Sequence, residues 1–141
     1  MSANVIMATD AGVAEIRLNR PESLNAINGG LLRDLSDALQ TAMDDAEVAA
    51  ILLSGAGKAF CAGNDLREFS DREMSYEDAA RTVAAYQNIT RIIMSGDKIV
   101  VGAIHGWAVG GGLEWALNCD LAVVGEGTRF FFPETRLGLF V

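Results

Sequence analysis

VGGGLE, at residues 109–114, decides this fold together with AFCAGNDL, at residues 59–66. Both stretches place glycine just before a predicted helix start. The first N–H groups of a helix have no intrahelical acceptor, and its N-terminus carries a partial positive charge. Two such termini aimed at one point would form a pair of donors for a developing oxyanion. Glu114 lies three residues after Gly111 and would reach the same space, although tight turns alone would also explain these glycines.

The composition indicates one globular domain with an acidic surface. The chain has 141 residues, of which 50% are hydrophobic, so a sizeable core is expected. The formal net charge is −8, and no basic run is present. These features argue against nucleic acid as a partner. They leave room for an anionic small ligand, which needs only a few local arginines or lysines.

Cysteine usage and hydropathy favour a cytoplasmic protein without a metal centre or membrane partner. Cys61, Cys119 and the single histidine, His105, cannot build a zinc cluster, and reduced cysteines are favoured over a disulfide. Residues 1–10 lack the pattern of a signal peptide. The most apolar region, 99–117, contains polar residues and several glycines, which predicts a strand, a turn and a helix instead of a membrane span.

Hydrophobic periodicity predicts alternating strands and helices, and therefore an α/β layer fold in a single domain over residues 1–141. The apolar end of the chain, at residues 138–141, predicts that the chain is cut within a longer fold. Strands are predicted at 4–9, 13–18, 48–53, 99–104, 121–124 and 130–132, and helices at 28–44, 76–94 and 110–118.

Five ordered blocks of sequence resemble the crotonase (enoyl-CoA hydratase/isomerase) superfamily over essentially the whole chain. The resemblance implies a crotonase-like spiral of ββα units, here without the C-terminal helices that complete trimer contacts in the family. It also implies a homotrimer or hexamer for the full-length fold. The blocks are LNRP with LNAI (18–21 and 24–27), GKAFCAGNDL (57–66), AIHGWAVGGG (103–112), CD (119–120) and FPE (132–134).

The resemblance also implies the catalytic groups. The backbone N–H groups of Asn64 and Gly111 would form an oxyanion hole for a thioester carbonyl. Glu114 would hold the water, and Glu134 would transfer the proton. From the residues alone, Glu114 is equally a favourable charge at a helix N-terminus, and Glu134 an exposed acid in a turn.

The same resemblance implies the path of coenzyme A. Its lining would consist of Ala62, Asn64, Asp65, Leu66, Arg67 and Gly111, with Arg20, Ser23 and Leu24 beside the adenine or pantetheine. The arginines are also compatible with solvated surface charges, and Asp65 with a helix N-cap. His105 is interpreted as a structural turn residue, and Trp107 and Trp115 as core or interface residues.

These features predict an enzyme that hydrates a trans-2-enoyl-CoA to a 3-hydroxyacyl-CoA, a lyase of the EC 4.2.1 type. Coenzyme A would enter as part of the substrate, and no metal or redox cofactor is required. One alternative is an enoyl-CoA isomerase, or a hydrolase or dehalogenase, on the same oxyanion hole. Another is a truncated, non-catalytic subunit that binds acyl-CoA or serves in assembly. The acyl pocket would be formed partly by residues 68–77.

Overall fold

The computed structural model describes residues 3–67 and 75–137. Most of the predicted acyl-pocket segment, at 68–74, and the apolar chain end, at 138–141, therefore lie outside the described residues. The strands are β1 (Val5–Asp10), β2 (Val13–Leu18), β3 (Ala50–Gly55), β4 (Ile99–Ile104), β5 (Trp107–Val109), β6 (Leu121–Val124) and β7 (Arg129–Phe131). The helices are α1 (Gly29–Asp44), α2 (Tyr76–Ser95), α3 (Gly111–Asn118) and α4 (Glu134–Leu137), with a 3₁₀ turn at Pro21–Ser23.

Five strands form one mostly parallel sheet, which confirms the predicted α/β class. The strand order is β1-β2-β3-β4-β6, and β5 pairs with β7 in a separate two-stranded sheet. Among the described strands, only the β1–β2 pair is antiparallel, and its turn has positive φ at Ala11 (46°) and Gly12 (80°). The remaining strands of the large sheet pair in parallel, so each is reached by a crossover connection.

The core lies between the large sheet and helices α1 and α2. Leu31, Leu35 and Leu39 of α1 are 0% exposed, as their helical spacing predicts. The helix begins at an N-cap, where the Asn28 side chain accepts a hydrogen bond from the Leu31 N–H at 2.8 Å. Burying each leucine contributes about 1.5–3 kcal/mol, which fixes α1 against the sheet.

The predicted elements are correct in kind but not always in extent. The strand predicted at 48–53 is β3, Ala50–Gly55, because its register against β2 pairs Val13 with Ala50 and Leu18 with Gly55. Neither β5 nor α4 was predicted. β5 has three residues and is defined by pairing with β7, so local periodicity carries no signal for it.

The last two strands expose apolar side chains. Leu121 and Val123 of β6 are 61% and 67% exposed, and Phe130 of β7 is 49% exposed. β6 is also an edge strand of the large sheet. Within residues 3–67 and 75–137, no helix combines the length and hydropathy needed to cross a membrane.

Candidate active site

Strand register brings the two glycine-bearing stretches side by side. The Cys61 N–H donates to the Trp107 carbonyl at 3.0 Å, and the Val109 N–H donates to the Cys61 carbonyl at 3.0 Å. Asn64 and Gly111 follow three residues beyond the Cys61–Ala108 bridge on their respective segments. The residues predicted as the two oxyanion donors are therefore adjacent in the fold.

Two glycines allow the segments to approach this closely. A Cβ on Gly63, whose φ is +82°, would lie 2.9 Å from the Val109 carbonyl oxygen. A Cβ on Gly112 would lie 2.6 Å from the Cys61 Cβ and 2.7 Å from the Cys61 carbonyl oxygen. Because real Cβ contacts are not this short, a side chain at either position would push α3 away from residues 61–64.

The backbone orientation at Asn64 follows from its pairing with Ile27. The Ile27 N–H donates to the Gly63 carbonyl at 2.8 Å, and the Asp65 N–H donates to the Ile27 carbonyl at 2.9 Å. In such a parallel bridge the flanking residues make both bonds, so the Asn64 N–H is directed away from Ile27. Gly111 is the first residue of α3, where an N–H has no intrahelical acceptor.

A tyrosine that was not among the predicted site residues contacts both donor residues. The Tyr86 hydroxyl of α2 donates a hydrogen bond to the Asn64 Oδ1. Its ring carbon Cε1 lies 3.0 Å from the position that a Cβ on Gly111 would occupy, and the Ile27 Cδ1 lies 3.2 Å from it. The sequence signalled Tyr86 only as one position of the apolar stripe of α2.

The two predicted catalytic carboxylates lie next to the start of α3. The Glu134 Oε1 lies 2.5 Å from the position of a Cβ on Gly110, and its Oε2 is buried with no hydrogen-bond partner among the described residues. Burial and the nearby charge of Glu134 together raise the pKa of Glu114. Glu134 is partly buried at the start of α4, so the alternative of an exposed turn acid is wrong.

Asp65 is engaged by two arginines of the predicted coenzyme A path. The Arg20 Nη2 donates to its Oδ2 at 3.1 Å, and the backbone N–H and Nε of Arg67 donate to its Oδ1, each at 3.3 Å. The bond to the Arg67 N–H is that of an N-cap. Burial opposes ionisation of Asp65, but the hydrogen bonds from Arg20 and Arg67 outweigh it and lower the pKa of Asp65.

The other predicted coenzyme A residues lie around Asn64. Leu24, in the left-handed region with φ 54°, is partly exposed, and its carbonyl accepts from the Ala62 N–H at 3.0 Å. The Ser23 hydroxyl donates to the Arg20 carbonyl at 3.2 Å. Leu66 is 76% exposed, so it presents an apolar surface to solvent beside the candidate donors.

Asn25 supports the backbone on which Arg20, Leu24 and Ala62 lie, here called the rim, and it was not singled out from the sequence. It is 0% exposed, and its Nδ2 lies within donating distance of the carbonyls of Ala56, Ala59 and Phe60, at 2.9, 2.8 and 3.1 Å. Its Oδ1 accepts from the Arg20 N–H at 2.8 Å. A buried amide with these partners joins the loop after β3 to the turn after β2. Its only sequence signal was its place in the LNAI block.

Two further residues, His105 and Trp115, have the structural roles predicted for them, and an interface role for Trp107 stays a prediction. The His105 Nε2 bonds the Gly57 carbonyl at 3.0 Å, so the histidine supports a turn. Trp115 is 1% exposed and belongs to the core, whereas Trp107 is 40% exposed and carries the Arg129 guanidinium 5.1 Å from its ring centroid.

The cysteines are free thiols, and Cys61 is fully buried. Burial raises the pKa of the Cys61 thiol to about 12. Over the described ranges, no three histidine, cysteine, aspartate or glutamate side chains cluster as metal ligands would.

Comparison with known proteins agrees with this geometry. The family model described as enoyl-CoA hydratase/isomerase matches residues 8–141. A short-chain-enoyl-CoA hydratase of Clostridium acetobutylicum is 35% identical over 137 residues, covering 96% of this chain and 52% of that protein. The mitochondrial enoyl-CoA hydratase of Pongo abelii is 38% identical over 128 residues, 89% of this chain and 42% of that protein.

Solved structures show the same relationship. The crystal structure of an enoyl-CoA hydratase from Mycobacterium smegmatis superposes with a TM-score of 0.91 at 33% identity, covering 99% of this chain and 54% of that one. The chain thus spans about half the length of these relatives. From the family-model match and the shared fold, we conclude that the chain belongs to the enoyl-CoA hydratase/isomerase family, within the crotonase superfamily.

Proposed function

We propose that this chain carries the reaction centre of a hydratase that acts on trans-2-enoyl thioesters of coenzyme A. The observation that supports it most is one juxtaposition. The segment at Asn64 and the start of α3 at Gly111 are adjacent, and the Glu134 carboxylate lies against the same turn at Gly110. Backbone N–H groups and carboxylates are what enolate formation from a thioester requires.

In the proposed reaction, the N–H groups of Asn64 and Gly111 bind the thioester oxygen. Glu114 accepts a proton from water as the water oxygen bonds to substrate carbon C3. The C2–C3 π electrons move onto the thioester oxygen as an enolate, and Glu134 then delivers a proton to C2. Glu114 thus gains the proton that Glu134 loses, and exchange between the two carboxylates restores the starting state.

The electrostatics of the pair support this division. Burial raises the pKa of Glu114, and the charge that Glu134 acquires on giving up its proton raises it further, so Glu114 holds the proton taken from water more firmly than a solvated glutamate would. The buried Oε2 of Glu134 has no hydrogen-bond partner among the described residues. The water that adds to the substrate would be a suitable partner. Neither step needs a metal or redox cofactor.

The proposed path of the coenzyme A thioester runs along the residues around Asn64. Ala62, Leu66 and Gly111 would contact the pantetheine and thioester, and Arg67, 79% exposed at its side chain, would face the phosphates. Ser23 and Leu24 would lie beside the pantetheine or adenine. Asp65 and Arg20 would act indirectly, since each already binds the other. For the full protein, the proposal extends to a homotrimer or hexamer, which the family resemblance implies, and to a cytoplasmic location, which the cysteine usage favours. Sedimentation and fractionation would test them.

The test is hydration of crotonyl-CoA, followed as loss of the conjugated thioester absorbance. Glu114→Gln and Glu134→Gln should each lower kcat about 100-fold or more, the usual effect of removing a general acid or base. Glu126→Gln is the matched control, since Glu126 is exposed on a loop, and it should change kcat less than twofold. If both active-site variants hydrate crotonyl-CoA with the kcat of the wild-type chain, the proposal is refuted.

The same variants separate the alternatives. An isomerase that relies on Glu134 alone would tolerate Glu114→Gln and would convert 3-enoyl to 2-enoyl thioesters. A non-catalytic acyl-CoA-binding subunit would bind butyryl-CoA and hydrate nothing.

A further inference from the structure

We propose that Tyr86 is a positioning residue that holds the two oxyanion donors in register, an inference that rests on the proposed function. Tyr86 lies on α2, an element that supplies neither donor nor carboxylate. Its side chain nevertheless contacts Asn64 through the hydroxyl and Gly111 through the ring. One side chain therefore spans the gap between the two donor residues.

The hydroxyl contact restrains the Asn64 peptide. That peptide follows Gly63, whose φ of +82° reflects a freedom that other residues lack. Its carbonyl end is held by the Ile27 N–H at 2.8 Å. The hydrogen bond from the Tyr86 hydroxyl to the Asn64 Oδ1 adds a second point of attachment, and two points oppose rotation of the peptide about either one.

The ring contact restrains the first turn of α3. Cε1 of Tyr86 lies 3.0 Å from the position that a Cβ on Gly111 would occupy, so the ring lies against this turn and limits its movement towards α2. The same ring lies 6.0 Å from the Trp115 ring, centroid to centroid, one turn further along α3. Trp115 is 1% exposed, so the ring packs on a rigid part of the core.

Such restraint matters because oxyanion donors act only over a short range. Removing one donor typically lowers kcat about 100- to 1,000-fold, and the donors must lie about 2.7–3.1 Å from the oxyanion. A donor that is present but less precisely positioned should therefore lower kcat by part of this 100- to 1,000-fold effect. We expect about a tenfold effect for loss of the Tyr86 hydroxyl, because a neutral hydrogen bond commonly contributes a factor of this size.

The test measures the donors directly, without requiring turnover. Acetoacetyl-CoA has an acidic C2, and donors on its thioester oxygen stabilise the enolate and lower its pKa. Titration of the enolate's near-ultraviolet absorbance on the protein gives this pKa. Tyr86→Phe should raise it by about one unit, the equivalent of a tenfold weaker stabilisation, while the Kd for butyryl-CoA changes less than twofold.

Gln87→Ala is the control, because Gln87 is next to Tyr86 on the same helix and is exposed. It should leave the enolate pKa unchanged. Asn64→Ala removes the acceptor but keeps the backbone N–H, so it should raise the enolate pKa as Tyr86→Phe does. The double variant should then add nothing further, since both changes break one hydrogen bond.

The outcomes distinguish the role of Tyr86 from the proposed function. An enolate that forms on the wild-type chain with the same pKa in Tyr86→Phe refutes the role of Tyr86 and leaves the proposed function standing. Full additivity in the double variant also refutes it, because Tyr86 would then act by another route. If wild-type protein stabilises no enolate, the oxyanion hole itself fails, and the role of Tyr86 fails with it.

Discussion

Asp65→Ala should destabilise the fold by about 3 kcal/mol, because it breaks the buried pair that closes the rim beneath Asn64. The side chains of Arg20 and Asp65 are only 15% and 8% exposed, and their nitrogen and oxygen are 3.1 Å apart. Removing one partner of a buried pair costs about 3–5 kcal/mol, since the other charge is left uncompensated. We take the lower end because Arg20 keeps its hydrogen bond to the Ala26 carbonyl.

Arg67→Ala is the matched control. Its guanidinium contacts the same carboxylate at 3.3 Å but is 79% exposed, so its loss should cost at most about 0.5 kcal/mol. Urea unfolding at neutral pH measures both values. A cost below about 1 kcal/mol for Asp65→Ala, or equal costs for the two variants, would refute the argument that burial makes the Arg20 pair the dominant one.

The pH dependence gives a second check on Asp65. Its pKa is lowered in the folded chain from an ordinary value of 3.8. The ionised form therefore stabilises the fold fully above that value, and the contribution is lost as the pH falls below it. The difference in unfolding free energy between wild type and Asp65→Ala should shrink below about pH 4. A difference that stays constant into acid would contradict the lowered pKa.

Three further predictions concern the junction of α3 with the rest of the fold. Burial raises the pKa of the Cys61 thiol from 9.0 to about 12. The neutral thiol therefore stabilises the fold below pH 9, and this contribution is lost as the pH rises towards 12. In urea unfolding, Cys61→Ala should lose less unfolding free energy than wild type as the pH is raised over this range. Gly112→Ala places a Cβ 2.6 Å from that of Cys61 and should cost about 1–3 kcal/mol, whereas Gly29→Ala, with 3.8 Å to its nearest neighbour, should be close to neutral in the same unfolding assay. Glu134→Gln removes a neighbouring negative charge and should lower the pKa of Glu114, which a carboxyl-labelled NMR titration measures; an unchanged value would show that the two acids do not interact.

Much of the fold could be predicted from the sequence because its signals are local. The leucines of α1 repeat at helical spacing, and Val13–Leu18 alternates as a half-buried strand. The strand β5 could not be predicted, because three residues are a strand only by virtue of pairing with β7. The start of β3 was placed early for the same reason, since register against β2 and not hydrophobicity sets it.

The candidate site also contains residues that the sequence predicts and residues that it does not. The adjacency of Asn64 and Gly111 could be predicted because the family resemblance includes their glycine-rich surroundings, and their role as donors stays a prediction. Tyr86 and Asn25 could not, because their roles depend on tertiary contacts. A tyrosine in an apolar helix stripe is indistinguishable from a core residue until its hydroxyl is seen against Asn64. An asparagine after a strand predicts only a turn, whereas Asn25 proves fully buried among backbone carbonyls.

The most direct test of the central claim is the infrared carbonyl stretch of butyryl-CoA, carrying carbon-13 at the thioester carbon and bound to the wild-type chain. This ligand has no double bond to hydrate, so the complex is stable during measurement. If the N–H groups of Asn64 and Gly111 both donate to the thioester oxygen, the labelled stretch should lie at lower frequency than in water, because two fixed donors polarise the carbonyl more strongly than solvent. A bound ligand whose carbonyl absorbs at the aqueous frequency or above it would contradict the claim.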